Sequence, residues 1–298
     1  MSVPMRTTVR TEIARYLRAG EYDPYFAAWP GDCVTSGRRA KADLKNALIR
    51  EVLRRAEGRP PPAAIVDLDL VAFTRRKVEP MVRGLFPGRE HATVLGVLER
   101  SVVVLTPDSI CSILEQARWL HTAWDLANLY MGSIGAEPLG EEAASIVGLS
   151  EETTCYLSAE YFRESGRFSD FVVHEAAHIF HNCKRGTLGL PEPRSREWLL
   201  DIEFRKRETF AYACEAYSCI IDLVRTPAAR TCLVEELARG PLPTDERVDL
   251  LEYLDIVREA AGMRNGWKRI LCRCAPQRRS VWAGGRRDVP ALPPTVGP

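Results

Sequence analysis

Apolar residues recur at helical spacing along most of the chain. Val9 to Leu17 shows it, and Ala40 to Ala56 repeats it through Leu44, Leu48, Val52 and Leu53, so both segments are predicted as helices. Between them Pro24, Pro30 and Gly31 make Tyr22 to Gly31 a loop, and Gly58-Arg59-Pro60-Pro61-Pro62 then breaks the chain. Leu68 to Leu85 reads as another helix, ended by Pro87-Gly88. The β-branched run Ser101 to Thr106 predicts a short buried strand. Ile110 to Met131 is periodic enough for one long helix. Gly132 to Glu152, rich in Gly and acids, reads as a loop, and Thr153 to Ser158 as a strand. Phe171 to Asn182, Arg207 to Val224 and Val248 to Ala261 are predicted helices, while Trp198 to Phe204 fits strand or helix equally.

This pattern predicts an α+β fold, predominantly helical, with a few short strands. Three regions follow: a helical N-terminal part over 1–60, a main domain over 61–274, and a tail over 275–298. The tail holds five prolines and four arginines and reads as disordered. No apolar run is long enough for a membrane span, and Met1 to Gly20 lacks the apolar stretch of a signal peptide.

Charge adds one feature. Residues 1–60 carry a net +5 and 268–298 a net +6, against −10 for the segment between. Solvated helix faces and a basic tail explain this more simply than nucleic-acid binding, because the basic residues are not interleaved with exposed aromatics. The nine cysteines are odd in number and scattered. Several (Cys111, Cys214, Cys219) sit in apolar helical patterns, which suits reduced thiols in a cytoplasm. Cys272-Arg273-Cys274 has no second pair at metal-binding spacing.

The chemistry is concentrated in His174-Glu175-Ala176-Ala177-His178. Residues four apart share one helix face, so both imidazoles can address one zinc ion. Glu175, one position round, can reach a water on that ion, whose pKa the metal lowers to about 7, and act as its base. The flanks are apolar and uncharged, and three of the five histidines (174, 178 and 181) fall within eight residues. A core helix with two hydrogen-bonded histidines does not explain that concentration.

These residues resemble the HExxH helix of the zincin metallopeptidases, strictly over 174–178 and loosely over about 100–225. The resemblance implies a small zincin-like sheet packed on the helix at 171–182, with an edge strand that holds an extended peptide or protein substrate, and Thr153 to Ser158 stands in the right order for that strand. A third zinc ligand is needed, and Glu208, Glu215 and His181 compete for it. In gluzincins it is a Glu on a later helix with a small residue one turn on, which points to Glu208 with Ala211. The stretch from Glu208 also resembles faintly the E-x-x-A segment of ImmA/IrrE-like metallopeptidases. Metzincins place a further His where this chain has Asn182-Cys183-Lys184, so it departs from that pattern.

Tyr212, one turn from Glu208, is the candidate to stabilise an oxyanion, with Tyr217 and His181 as alternatives. Glu215 or Asp201 could orient a ligating His. His91 and His121 read as ordinary helix-surface or hydrogen-bonded histidines. The expectation is a cytoplasmic zinc metallopeptidase. The competing one is a regulatory, partner- or nucleic-acid-binding protein with a structural or vestigial zinc site. Glu175 separates them, since a structural site has no use for it.

Overall fold

Short polar side chains start most of the helices. The Thr8 hydroxyl caps α1 (Val9–Ala19), Asp32 caps α2 (Cys33–Ala56) and Asp69 caps α3 (Leu70–Leu85), each accepting from a first-turn N–H. The chain continues through α4 (Gly88–Leu98), β1 (Val102–Val104), α5 (Ile110–Gln116), α6 (Leu120–Ser133), β2 (Gly148–Glu151) and β3 (Thr154–Leu157). It ends in a helical half: α7 (Phe171–Asn182), α8 (Arg207–Leu223), α9 (Pro227–Leu237), α10 (Leu250–Gly262) and α11 (Gly266–Cys274). This computed structural model describes residues 8–59, 68–140, 143, 148–151, 153–158, 161, 166–192 and 196–276. The predicted break at Pro60–Pro62 and the tail from 277 lie outside the described residues.

The fold is predominantly helical α+β, with a small three-stranded mixed sheet that packs on α7. Two apolar clusters organise it. One joins α1 and α2 to α5 and α6 through Tyr16, Leu44, Leu48, Leu120 and Leu126, so helices on either side of residue 60 share a core. The other surrounds α7 and α8 with α3, α4 and α9 to α11. Among the described residues no helix is long and apolar enough to cross a membrane.

Besides adding α4, α9 and α11, for which the pattern predicts no helix, the structure departs from the pattern in three places. The long helix over Ile110 to Met131 is two helices, broken at Ala117. The Lys45 ammonium on α2 donates to the Glu115 and Ala117 carbonyls at 2.7 and 2.6 Å, satisfying acceptors that the end of α5 leaves open. The segment read as a loop over Gly132 to Glu152 contains β2. Finally, the strand order is β1-β3-β2, with β1 parallel and β2 antiparallel to β3. The strand at Thr153 to Ser158 is therefore central, not an edge. Both its flanks are bonded, Val103 pairing with Tyr156 on one side and Leu149 on the other, so it cannot accept a substrate strand.

Candidate metal centre

Helix α7 is apolar on nearly every side, and all its residues from Val172 to His181 are buried. Such a helix needs its polar groups satisfied internally. Its N-cap, Asp170, accepts from the Val173 N–H at 3.3 Å and the Tyr161 hydroxyl at 2.9 Å, and pairs with Lys77 at 2.8 Å. Helix α8 lies against α7 and supplies the acids that face its histidines.

His174 Nε2 and His178 Nε2 stand 3.1 Å apart, and Glu208 Oε2 lies 3.9 Å from the first and 3.4 Å from the second. Ligand atoms around a tetrahedral zinc, at bonds of about 2.0–2.1 Å, are separated by roughly 3.3 Å. The three atoms thus form one face of such a tetrahedron, somewhat open on the His174–Glu208 edge.

The remaining nitrogens are used in a way that fixes the tautomers. His174 Nδ1–H donates to Glu215 Oε2 at 3.1 Å. His181 Nδ1–H donates to Asn182 Oδ1 at 3.1 Å, leaving its Nε2 to accept from His178 Nδ1–H at 3.0 Å. With those donors assigned, each imidazole turns its Nε2 toward the same point, and two such lone pairs 3.1 Å apart repel unless a cation or a proton lies between them. This donor set, two imidazoles and a carboxylate, fits zinc.

Glu215 is not in the ligand face. Its Oε1 accepts from the Asp170 N–H at 2.7 Å, so one buried carboxylate ties the start of α7 to the orientation of His174. His181 is also outside the face and plays the same part for His178. Burial, His178 and Arg207 together push its pKa down to about 3, so it stays neutral. For His174 burial is the largest influence and opposes protonation, but Glu215, Glu175 and Glu208 together hold its pKa above the ordinary value. Burial of Glu208 is likewise outweighed, by His178, Arg247 and His174, and its pKa is lowered.

A cleft of about 900 Å³ opens over these atoms, lined also by Glu175, Tyr212 and the β2 residues Gly148 to Ser150. Glu175 is buried beside Gly148, where an added Cβ would stand 3.3 Å from its Oε1, so the glycine lets strand and carboxylate approach closely. The Tyr212 ring packs edge-on against His174 with centroids 4.5 Å apart, and burial pushes its hydroxyl up to about 12.

Two residues in the cleft carry no sequence signal. Arg247 Nη1 holds Glu208 Oε1 at 2.9 Å, and its Nε holds Asp245 Oδ1 at 2.9 Å. Both come from the loop between α9 and α10 and are brought in by folding alone. Tyr217 lies elsewhere, its buried hydroxyl accepting from the Gly266 N–H. Asp201 lines a second depression behind His181, His91 bonds the Phe86 carbonyl, and His121 stacks on Trp119. Cys272 and Cys274 are free thiols, and among the described residues no disulfide is formed.

Comparison of the chain with protein-family models, curated proteins and solved structures returned no match.

Proposed function

We propose that this protein is a zinc-dependent metallohydrolase, a peptidase of the gluzincin kind, with His174, His178 and Glu208 as metal ligands and Glu175 as general base. The observation that carries the reading is the convergence of two bare imidazole nitrogens and a carboxylate oxygen at near-tetrahedral spacing. A zinc ion held there supplies Lewis-acid chemistry, lowering the pKa of water and polarising a carbonyl. Glu175 takes the proton of the attacking water and returns it to the leaving amine. Tyr212, kept protonated by its raised pKa, donates to the carbonyl oxygen as negative charge develops there.

Strand β2 takes over the substrate-holding role expected of β3. It is bonded by β3 on one side, and its residues Gly148 to Ser150 line the cleft, so an extended peptide can add to its other edge. That no disulfide joins cysteines among the described residues supports a reducing compartment, the cytoplasm. A purely structural zinc site would leave the buried Glu175 in the cleft without a purpose.

The test compares the purified wild-type chain with Glu175→Gln and His178→Ala. Metal analysis should find close to one zinc per chain in the first two and a large loss in the third. Mass spectrometry of a degenerate peptide mixture should show cleavage by wild type only, the Gln variant being slower by about 10²–10⁴-fold. A wild-type chain that neither holds nor takes up zinc, or a Gln variant as active as wild type, would overturn the proposal.

A further inference from the structure

We propose that the depression behind His181 is a subsite for an acidic group of the substrate, a carboxylate flanking the bond that is cut. The proposal rests on the metallopeptidase reading and specifies the substrate class for it. The depression encloses about 490 Å³ and adjoins the metal cleft, since His181 and Arg207 line both. It begins one imidazole away from a proposed metal ligand, His181 Nε2 being 3.0 Å from His178 Nδ1. A group seated there belongs to a residue next to the reacting carbonyl.

The lining calls for an anion. Arg207 Nε is buried and has no hydrogen-bond partner among the described residues, while its guanidinium packs over the Phe204 ring at 5.3 Å. Arg196 is half-buried, and among the described residues no carboxylate pairs with it. Burial, and then the like charge of Arg185 behind it, push the Arg196 pKa below the ordinary guanidinium value. Two partly buried cations thus face a depression whose lining holds one acid, Asp201, which with Glu90 offsets part of the charge on Arg196. By contrast Arg247, across the cleft, is already engaged by Glu208 and Asp245.

A guanidinium binds a carboxylate through two parallel charge-assisted hydrogen bonds, and both Arg196 and Arg207 line the depression. The other walls, Leu200, Ile202 and Leu271, are apolar and suit the methylenes of a Glu side chain or the side chain of a C-terminal residue. The carboxylate can therefore come from an acidic side chain or from the end of the peptide.

Binding to the full-length, zinc-loaded Glu175→Gln chain separates these sources without relying on turnover. Fluorescein-labelled degenerate decapeptide pools with one central position fixed as Glu, Gln or Lys, each with a free or amidated carboxyl terminus, are titrated by fluorescence anisotropy. The Glu pools, or the free-terminus pools, should bind at least about tenfold tighter than their neutral counterparts. Adding Arg196→Met or Arg207→Met should reduce that preference to about twofold or less, with zinc content and melting temperature unchanged, while Arg207→Lys keeps part of it. Arg239→Met, on the exposed surface, should change nothing. Equal binding of all pools by zinc-loaded protein, or a preference that survives loss of both arginines, overturns the subsite and leaves the metal centre standing. A chain that holds no zinc and binds no pool overturns both readings.

Discussion

Glu215 offers the sharpest separation of ligand from support. Its two oxygens hold two buried donors, Asp170 N–H at 2.7 Å and His174 Nδ1–H at 3.1 Å. Glu215→Ala strands both, at about 1–3 kcal/mol each, and frees the His174 ring to turn. Loss of a carboxylate behind a ligating imidazole weakens metal binding by about 10–100-fold, which is ~1.4–2.7 kcal/mol. Glu215→Gln keeps the volume but presents an amide NH₂ to one of the two donors, so it should lose nearly as much and shows that charge and acceptance matter, not bulk. Zinc affinity is read by competition with a chelator of known affinity, with a thermal melt to confirm folding. Glu208→Ala, which removes a proposed ligand, should lose more than either Glu215 variant. The reasoning fails if both Glu215 variants bind zinc within about threefold of wild type. It also fails if Glu208→Ala retains zinc that Glu215→Ala loses, since Glu215 would then be the ligand.

Other perturbations reach different parts of the argument. Arg185 and Glu90 form a buried pair at 2.8 Å, with Arg185 Nη1 and Glu90 Oε2 lacking hydrogen-bond partners among the described residues. Arg185→Met should cost about 3–5 kcal/mol by urea unfolding, and Glu90→Gln added to it should cost much less than a second such loss; a single-mutant cost under about 1 kcal/mol would refute the burial argument. Gly148→Ala places a Cβ 3.3 Å from Glu175 Oε1 and 3.1 Å from Leu157 Cδ2, so it should slow peptide cleavage while leaving zinc stoichiometry intact. Unchanged turnover would mean that β2 and Glu175 do not work together. Proton competition gives a pH signature. The metal-free His174 has a raised pKa, its protonated form being the stabilised one below that pKa and losing that stabilisation as pH rises. Zinc must displace that proton, so its apparent affinity should fall as pH drops through the raised pKa, by about tenfold per pH unit per proton displaced. A chelator titration showing the same affinity at pH 8 and pH 5 would contradict it.

The helix carrying the motif was legible to the residue, Phe171 to Asn182, because its apolar pattern is strong and its flanks break cleanly. Helices with a weaker or shorter signal are not legible: α4 begins at Gly88, a residue that reads as a terminator, α9 begins at Pro227, and α11 spans only Gly266–Cys274. The break at Ala117 was invisible because its partner, Lys45, is on another helix seventy residues away. β2 was missed because Gly-Leu-Ser-Glu carries no β-branched residue and no alternation, and this reversed which strand forms the edge. At the site, spacing along a helix could nominate His174, His178 and the acids of α8, but it left Glu208 and Glu215 open. Which acid meets which nitrogen depends on how two helices are placed, and that is a tertiary fact. Arg247 and Asp245 come from a loop with no periodicity, and only folding brings them to Glu208.

The placement of α8 explains why one helix serves His174 twice. Glu208 and Glu215 are seven residues apart, two turns on one face, with Cα atoms separated by roughly 10 Å. The His174 ring lies between their carboxylates, Nε2 toward Glu208 and Nδ1 toward Glu215. One acid is positioned to share the metal and the other to fix the tautomer. Because both belong to the same rigid element, their relation does not depend on loop conformation. A shift of α8 along α7 by a single residue, about 1.5 Å of rise and 100° of turn, would take both acids off the histidine together. The sides of both helices turned away from the site, Phe210, Cys214 and Tyr217 on α8 and Val173, Ala177 and Phe180 on α7, belong to one apolar core. An enlarging substitution there, such as Ala177→Leu, should therefore weaken zinc binding without touching any ligand. That loss should appear in the chelator titration at a protein concentration and temperature where circular dichroism still shows full helix content.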